Sequence, residues 1–368
     1  MNSEPLRLGS RKSPMAISQS GEVARLITER TGLRVEIVGV TTLGDASREQ
    51  LAQIGGTGVF VSALRESLLG GEVDFAVHSL KDLPTGLAPG ITLAAIPARD
   101  DPRDALVARD GAKLADLAPG ARIGTGSPRR AAQLMMLRSD LTCVPIRGNA
   151  NTRLAKVREG ELDAIVLAYA GLARIGHANL VSEIFEPDDM VPAPGQGALA
   201  VECRADNTEL AELLAGVDDT ATRAAVTAER SLLAALEAGC SAPVGAYAVL
   251  STSRRDAPLS RLRSDKRGTS AGATREDSGL QLPGGERRER NAGRLLLEGV
   301  VLGVPGASFQ PAVLDSAAAS GRMVIRERGE ADIADAVRLG RELAGRMLEL
   351  GAAGLMRAEK TNGNDTHD

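Results

Sequence analysis

From residue 6 to residue 96 the chain alternates short apolar runs with amphipathic stretches of helical length, and this rhythm constrains the fold more than any other feature. Residues 6–8 and 35–40 have the length and composition of strands. Residues 75–79, Phe-Ala-Val-His-Ser, form an apolar run suited to a strand covered on both faces, and another strand falls at 91–96. Ser13-Pro14 marks a helix start: the Ser hydroxyl can accept from a first-turn N–H, and Pro has no N–H to lose there. That helix extends to residue 31, and a second, 60–69, is closed by Gly70-Gly71. Such alternation argues for an α/β fold with a mainly parallel sheet and helices on both faces.

The pattern pauses at a polar, hinge-like segment, 98–103, and begins again. A strand ends at 122–124, followed by a helix at 127–137, a strand at 142–146, a helix at 151–157, a strand at 164–167 and a helix at 170–175. A second crossing, 191–197, leads into a strand at 198–202 able to return to the first unit. Two α/β units joined by two crossings make a clamshell with a ligand cleft between them. A third unit follows, with an amphipathic helix at 222–236, strands at 246–250 and 294–301, and a final amphipathic helix at 330–350. Residues 252–291 are rich in Arg, Ser, Gly and Asp with little periodicity and read as a flexible insertion; residues 358–368 read as a disordered tail. The expected organisation is domain 1 from 1–98 and 198–217, domain 2 from 102–193, and domain 3 from 219–357.

Composition narrows the function classes. Aromatic residues make up 2% of the chain and Trp is absent, which argues against a stacking platform for single-stranded nucleic acid. A net charge of −4 argues against a nucleic-acid partner, while permitting a local basic cleft. The N-terminal segment has no apolar core of a signal peptide and no run is long enough to span a bilayer, so a cytoplasmic protein is expected. The three cysteines, Cys143, Cys203 and Cys240, are too widely spaced for a disulfide framework or a zinc site. Cys143 and Cys203 fall in or beside strands and read as small buried hydrophobes. Cys240 falls on the connection between a helix and a strand, beside Gly239, where a small molecule can reach a thiol.

In open α/β sheets, ligands bind beyond the carboxyl ends of the strands. Here those ends carry recurring cations and hydroxyls. The first strand leads to Arg11 and Ser13; the 75–79 strand ends in Ser79 and leads to Lys81 and Asp82. Strands of the second unit lead to Thr125, Ser127, Arg129 and Arg130, then to Arg147 and Arg153, then to Arg174. A single Arg is ordinarily a solvated charge or a surface ion pair. Recurrence at successive strand ends argues for a ligand with several anionic groups, which guanidinium forks bind in bidentate fashion. Asp82 is a lone carboxylate among these cations. It suits stabilising a cationic intermediate or shuttling a proton, or else a structural ion pair with Lys81 or an arginine. His78 has no second His near it and reads as a packed strand residue, so no metal is expected.

The carrying motifs are Leu8-Gly-Ser-Arg-Lys-Ser-Pro14, His78-Ser-Leu-Lys-Asp-Leu-Pro84, Gly124-Thr-Gly-Ser-Pro-Arg-Arg130, Arg147-Gly-Asn-Ala-Asn-Thr-Arg153, Leu167-Ala-Tyr-Ala-Gly-Leu-Ala-Arg174, Pro194-Gly-Gln-Gly-Ala198 and Gly239-Cys-Ser-Ala-Pro-Val-Gly245. In this order they resemble the hydroxymethylbilane synthase (porphobilinogen deaminase) family. The resemblance implies three domains: two periplasmic-binding-protein type II-like α/β domains forming a cleft, plus a smaller α+β C-terminal domain. It implies a transferase that adds four porphobilinogen units, with loss of ammonia each time, to a dipyrromethane cofactor held by a thioether to Cys240. Water then releases hydroxymethylbilane for haem biosynthesis. It also implies a monomer whose partners are porphobilinogen and the growing polypyrrole chain, with no nucleic acid and no membrane.

Carried over by motif, Asp82 is the catalytic carboxylate, hydrogen-bonding the pyrrole nitrogens. Ser79, Lys81, Asp82, Ser127, Arg129, Arg130 and Arg147 match positions that hold the cofactor; Arg11, Ser13, Phe60, Thr125, Arg153 and Arg174 match positions that hold substrate. Each pyrrole carries an acetate and a propionate, so the growing chain is a polyanion, which suits the many arginines. Three positions depart from the family pattern: Leu43 and Thr57 stand where basic residues are common, and Gly126 stands where Ser is commoner. A competing reading from another class is a non-catalytic, anion-binding clamshell protein such as a solute receptor.

Overall fold

The structure, a computed structural model, describes residues 4–40, 58–86, 88–239, 242–251, 293–303 and 324–357. Leu43, Thr57, Cys240, the 252–291 insertion and the 358–368 tail therefore lie outside the described residues, as does the side chain of Phe60. The first unit runs β1 (Leu6–Arg11), α1 (Pro14–Thr31), β2 (Val35–Val40), α2 (Gly58–Leu69), β3 (Phe75–Ser79) and β4 (Ile91–Ala95). Ser13 caps α1, accepting the Ala16 N–H at 3.3 Å, and Gly32 ends it in the left-handed conformation. The apolar face of α1 packs Val23 and Ile27 against Leu8 and Phe75 of the sheet, all four fully buried. Full burial of such side chains stabilises by about 1.5–3 kcal/mol each.

After the first crossing come β5 (Asp104–Ala108), β6 (Arg122–Gly124), α3 (Pro128–Leu137), β7 (Thr142–Val144), α4 (Ala150–Arg158), β8 (Ala164–Ala168), α5 (Tyr169–Arg174) and β9 (Glu183–Ile184). After the second crossing, β10 (Leu199–Arg204) returns to the first sheet, pairing antiparallel with both β3 and β4. The two five-stranded sheets have matching orders, β2-β1-β3-β10-β4 and β7-β6-β8-β5-β9. In each, the antiparallel member in fourth place is the strand that follows a crossing. The expected mixed α/β class, with two such domains and a smaller C-terminal sheet domain, is what the chain adopts.

α6 (Thr208–Ala215) follows β10 and packs on the first sheet; the last unit then comprises α7 (Thr220–Ala235), β11 (Val244–Ser251), β12 (Arg294–Leu302), β13 (Val324–Asp332), α8 (Ala336–Glu349) and α9 (Ala352–Arg357). The antiparallel meander β11-β12-β13 is covered by α7 and α8, with Leu232, Leu297, Leu343 and Met347 at the centre. The helix expected at 330–350 begins only at Ala336. Residues 330–332 pair in register with Leu296, Leu295 and Arg294, so strand pairing overrides a helix-like local pattern. The strand expected at 142–146 stops at Val144, ahead of Pro145.

Two buried carboxylates tie this unit to the others. Glu229 of α7 is fully buried; it pairs with Arg99 of the first crossing at 2.6 Å and accepts the Gly195 and Ala248 N–H groups at 2.7 and 2.8 Å. Glu298 of β12 pairs with Arg328 at 3.0 Å and Arg326 at 3.2 Å, and both arginines reach Asp188 of the second unit.

Candidate active site

Two cavities meet at Lys81. The larger, about 160 Å³, is bordered by Ser79, Lys81 and Asp82 after β3, by Met15 and Gln19 of α1, by Ala170, Gly171 and Arg174 of α5, and by Gly197 and Ala198. The turn after β3 is a single 3-10 turn, Leu80–Asp82. Leu80 and Leu83 are buried beneath it, at 0% and 3% exposure, which leaves Lys81 and Asp82 at the cavity wall. Gln19 Nε2 donates to Ser79 Oγ at 2.7 Å. Among the described residues Asp82 makes no ion pair and no side-chain hydrogen bond, so the structural pair with Lys81 or an arginine does not form.

The smaller cavity, about 30 Å³, is bordered by Lys81, Ser127, Arg129, Ala193, Pro194, Leu233, Gly239, Ala242 and Val244. Gly239 and Ala242, which flank Cys240 and Ser241 in sequence, form part of its wall. Ser127 caps α3, accepting the Arg130 N–H at 3.4 Å.

The charge around Lys81 is organised by Asp104. This carboxylate is fully buried and pairs with Arg129 at 2.8 Å and Arg130 at 2.7 Å. It also accepts from Gln196 Nε2 at 2.9 Å. The Gln196 Oε1 accepts from Lys81 Nζ at 3.3 Å and Arg130 at 3.4 Å. Arg129 and Arg130 are thus buried and held by an acid, rather than projecting as free forks. The two guanidiniums hold the Asp104 carboxyl far below the usual range, against the opposing effect of burial. Burial, helped by the Arg130 charge, pushes the Lys81 ammonium down to about 8. Burial and Arg130 likewise lower Arg153. In both, burial is the larger cause and the neighbouring Arg130 guanidinium adds to it, so these cations lack a full counter-charge that an anionic group could supply.

The remaining sequence-derived residues are spread more widely. Arg174 is pinned: its guanidinium pairs with Asp100 at 2.6 Å and Glu22 at 3.5 Å and donates to the Gly197 carbonyl at 2.9 Å. Gly197 has φ +87°, and a Cβ there would lie 2.6 Å from the Asp100 carbonyl, so glycine is required for this close approach. Arg11, Ser13, Thr125, Arg130, Arg147 and Arg153 border neither cavity. Thr125 is buried and accepts the Ser127 N–H, and Arg153 donates to the Gly148 carbonyl. Arg147 is exposed and has no ion-pair partner among the described residues. At Gly126 a Cβ would sit 2.6 Å from the Ile146 carbonyl, so this loop is built around the glycine. His78 is buried with its Nε2 3.2 Å from Glu202, which also pairs with Arg65 at 2.6 Å. Cys203 is buried and Cys143 half-buried, and burial raises both thiols.

Sequence reading missed Asp104, Gln196, Gln19, Arg99, Glu229 and Arg230. One of them carried a usable signal. Glu229 falls on the apolar face of α7, among Ala225, Ala228 and Leu232, where a carboxylate survives only if paired.

The family profile described as "Porphobilinogen deaminase, dipyromethane cofactor binding domain" matches residues 6–212, and "Porphobilinogen deaminase, C-terminal domain" matches residues 223–260. A porphobilinogen deaminase of Thermobifida fusca is 65% identical over 249 residues, covering 67% of this chain and 78% of that protein. Porphobilinogen deaminase 1 of Streptomyces coelicolor is 59% identical over 278 residues, covering 74% and 87%. Among solved structures, the methionine binding protein MetQ aligns at 12% identity and a TM-score of 0.38, covering 58% of this chain and 87% of that one.

Proposed function

The chain belongs to the porphobilinogen deaminase family, and we propose that its Cys240 carries the primer while Asp82 handles protons at the growing end. The chain is a transferase that joins four porphobilinogen molecules head to tail with release of ammonia, giving hydroxymethylbilane for tetrapyrrole biosynthesis; its cofactor is dipyrromethane. The non-catalytic clamshell alternative is set aside by this membership.

The observation that carries the residue assignment is the position of Lys81 in the walls of both cavities, with Asp82 in one wall and the neighbours of Cys240 in the other. When bound, dipyrromethane supplies a reactive pyrrole terminus and several carboxylates. The residues that border the smaller cavity suit it: Lys81, Ser127 and Arg129 offer charge and donors there, Arg130 stands behind them on the shared acid Asp104, exposed Arg147 adds a cation outside the cavity, and burial leaves the Lys81 ammonium short of counter-charge. Asp82 and Ser79 border the larger cavity and not the smaller. There the Asp82 carboxylate accepts hydrogen bonds from a pyrrole N–H, stabilises positive charge at that nitrogen and moves protons. Arg11, Ser13, Phe60, Thr125, Arg153 and Arg174 serve the incoming substrate. Arg174 does so by exchanging Asp100 and Glu22 for substrate carboxylate.

The three sheets support the division into domain 1 (1–98 and 198–217), domain 2 (102–193) and domain 3 (219–357). The reading also takes the protein as a monomer of the cytoplasm without nucleic-acid or membrane partners. The net charge of −4 supports the absence of nucleic acid, and the unpaired Cys143 and Cys203 suit a reducing compartment. Among the described residues no helix is long and apolar enough to cross a membrane.

Two results test the division of roles. Arg147→Ala removes an exposed, unpaired cation, so stability should hold while conversion of apo-protein to the primed form slows by roughly ten- to a hundredfold, the worth of a charged hydrogen bond. Arg174→Ala should leave priming intact and slow elongation by a similar factor; equal, mild effects on both steps would contradict the division. The second result concerns pH. Lys81 carries its charge below about 8 and loses it above, so attraction for an anionic primer weakens as pH rises through that value. The second-order rate of priming, followed by intact mass between pH 7 and 9.5, should show an alkaline limb near 8 that disappears in Lys81→Arg, whose guanidinium stays charged. A limb unchanged in Lys81→Arg would exclude Lys81 as its source.

A further inference from the structure

The turn that carries Asp82 is not held by its own domain alone. Arg230 of α7 donates through Nη1 to the carbonyls of Leu80 and Leu83, at 3.2 and 2.8 Å, and through Nη2 to the Pro84 carbonyl at 2.8 Å. These three acceptors bracket Lys81 and Asp82 on both sides. The Leu80 carbonyl also closes the turn itself, accepting the Leu83 N–H at 3.1 Å. One helical turn earlier, Val226 packs in the same apolar cluster as Leu80 and Leu83. The adjacent Glu229 fixes the helix against Gly195 and Arg99 of the two crossings. The same helix supplies Leu233 to the wall of the smaller cavity, and Gly239, beyond the end of the helix and next to Cys240 in sequence, borders that cavity too.

We propose that Arg230 is a positioning residue for Asp82, locking the catalytic turn of the first domain to the helix that leads to the thiol connection. The proposal rests on the assignment of Asp82 and Cys240 made above. The helix thereby sets the seat of the carboxylate, and the chain that follows it leads to Cys240. The planar guanidinium suits the task because its donors diverge in a fixed fork and satisfy several carbonyls at once, which a lysine ammonium on a flexible stem cannot reproduce.

The test compares Arg230→Met and Arg230→Lys with the parent enzyme, each purified in the primed form and checked by intact mass. Arg230→Met should lower kcat per primed molecule by roughly ten- to a hundredfold, with KM for porphobilinogen changed less than about twofold, since misplacement of a reacting group by about 1 Å costs up to a hundredfold. Arg230→Lys should fall in between, and it serves as the decisive variant should the methionine form not fold. In an Asp82→Glu background, where the carboxylate is already displaced, Arg230→Met should cost little more. A kcat per primed molecule equal to the parent's in both variants overturns the proposal. So does a fall in thermal stability with unchanged kcat, or a loss that adds in full to that of Asp82→Glu. If Asp82→Asn alone turns over normally, the assignment of Asp82 fails with it; if Asp82→Asn is inactive and the Arg230 variants are normal, only the role of Arg230 fails.

Discussion

Asp82→Asn is expected to lower turnover by about 10²–10⁴-fold, the range removed when a positioned general acid–base group is lost. The fold should survive it. Asp82 is partly exposed and makes no ion pair among the described residues, so its removal leaves no buried partner uncompensated. Asn has nearly the same shape and can still accept one hydrogen bond, but it carries no charge to oppose a positive pyrrole nitrogen and cannot take up a proton. Steady-state formation of the linear tetrapyrrole, with far-UV circular dichroism and thermal unfolding as controls, measures this. Near-normal tetrapyrrole formation by a well-folded Asp82→Asn protein would remove Asp82 from the chemistry.

The second large effect is on stability. Asp104→Ala is expected to destabilise the protein by about 3–5 kcal/mol, because it strands two buried guanidiniums, Arg129 and Arg130, without their counter-charge. Gln196, which links Asp104 to Lys81 and to the Pro102 carbonyl of the crossing, loses an acceptor as well. The Tm should fall by the order of 10 °C, and priming should fall with it because Arg129, Arg130 and Gln196 lose the acid that orients them beside Lys81. Asp104→Asn keeps an acceptor and should cost less than Ala. The pH dependence has a definite direction. The folded-state pKa of Asp104 is depressed, so its contribution is complete above the ordinary carboxylate range and is lost as pH falls through its lowered value. An Asp104→Ala protein as stable as the parent would mean that solvent, not Asp104, satisfies the two arginines.

How far the sequence reached can be traced residue by residue. The two α/β units and their crossings were legible because strand and helix periods alternate and Ser13-Pro14 and Gly70-Gly71 punctuate them. Strand β5 was not, because its five buried residues begin with an acid, Asp104, directly after the polar hinge-like segment 98–103. The last helix was drawn too long because residues 330–335 fit a helical pattern, and only pairing with β12 decides otherwise. In the site, the strand-end rule singled out Ser79, Lys81, Asp82, Ser127, Arg129 and Arg174, which border the two cavities, together with Arg11, Ser13, Thr125, Arg130, Arg147 and Arg153, which do not. It could not supply the partition between them. Whether an arginine faces a ligand or is held by a buried acid depends on contacts such as Arg130 with Asp104, 26 residues apart, and Arg230 with Leu80, 150 apart. No local pattern encodes such pairs.

The central claim is a covalent two-pyrrole primer on Cys240, with Asp82 working at its far end. Its most direct test is the intact mass of the protein purified from cells able to make porphobilinogen, followed by mapping of the peptide that contains Cys240. The account requires one dipyrromethane adduct, on that peptide, absent from Cys240→Ser, which should also be inactive. An unmodified but active protein, or an adduct on Cys143 or Cys203, would contradict it.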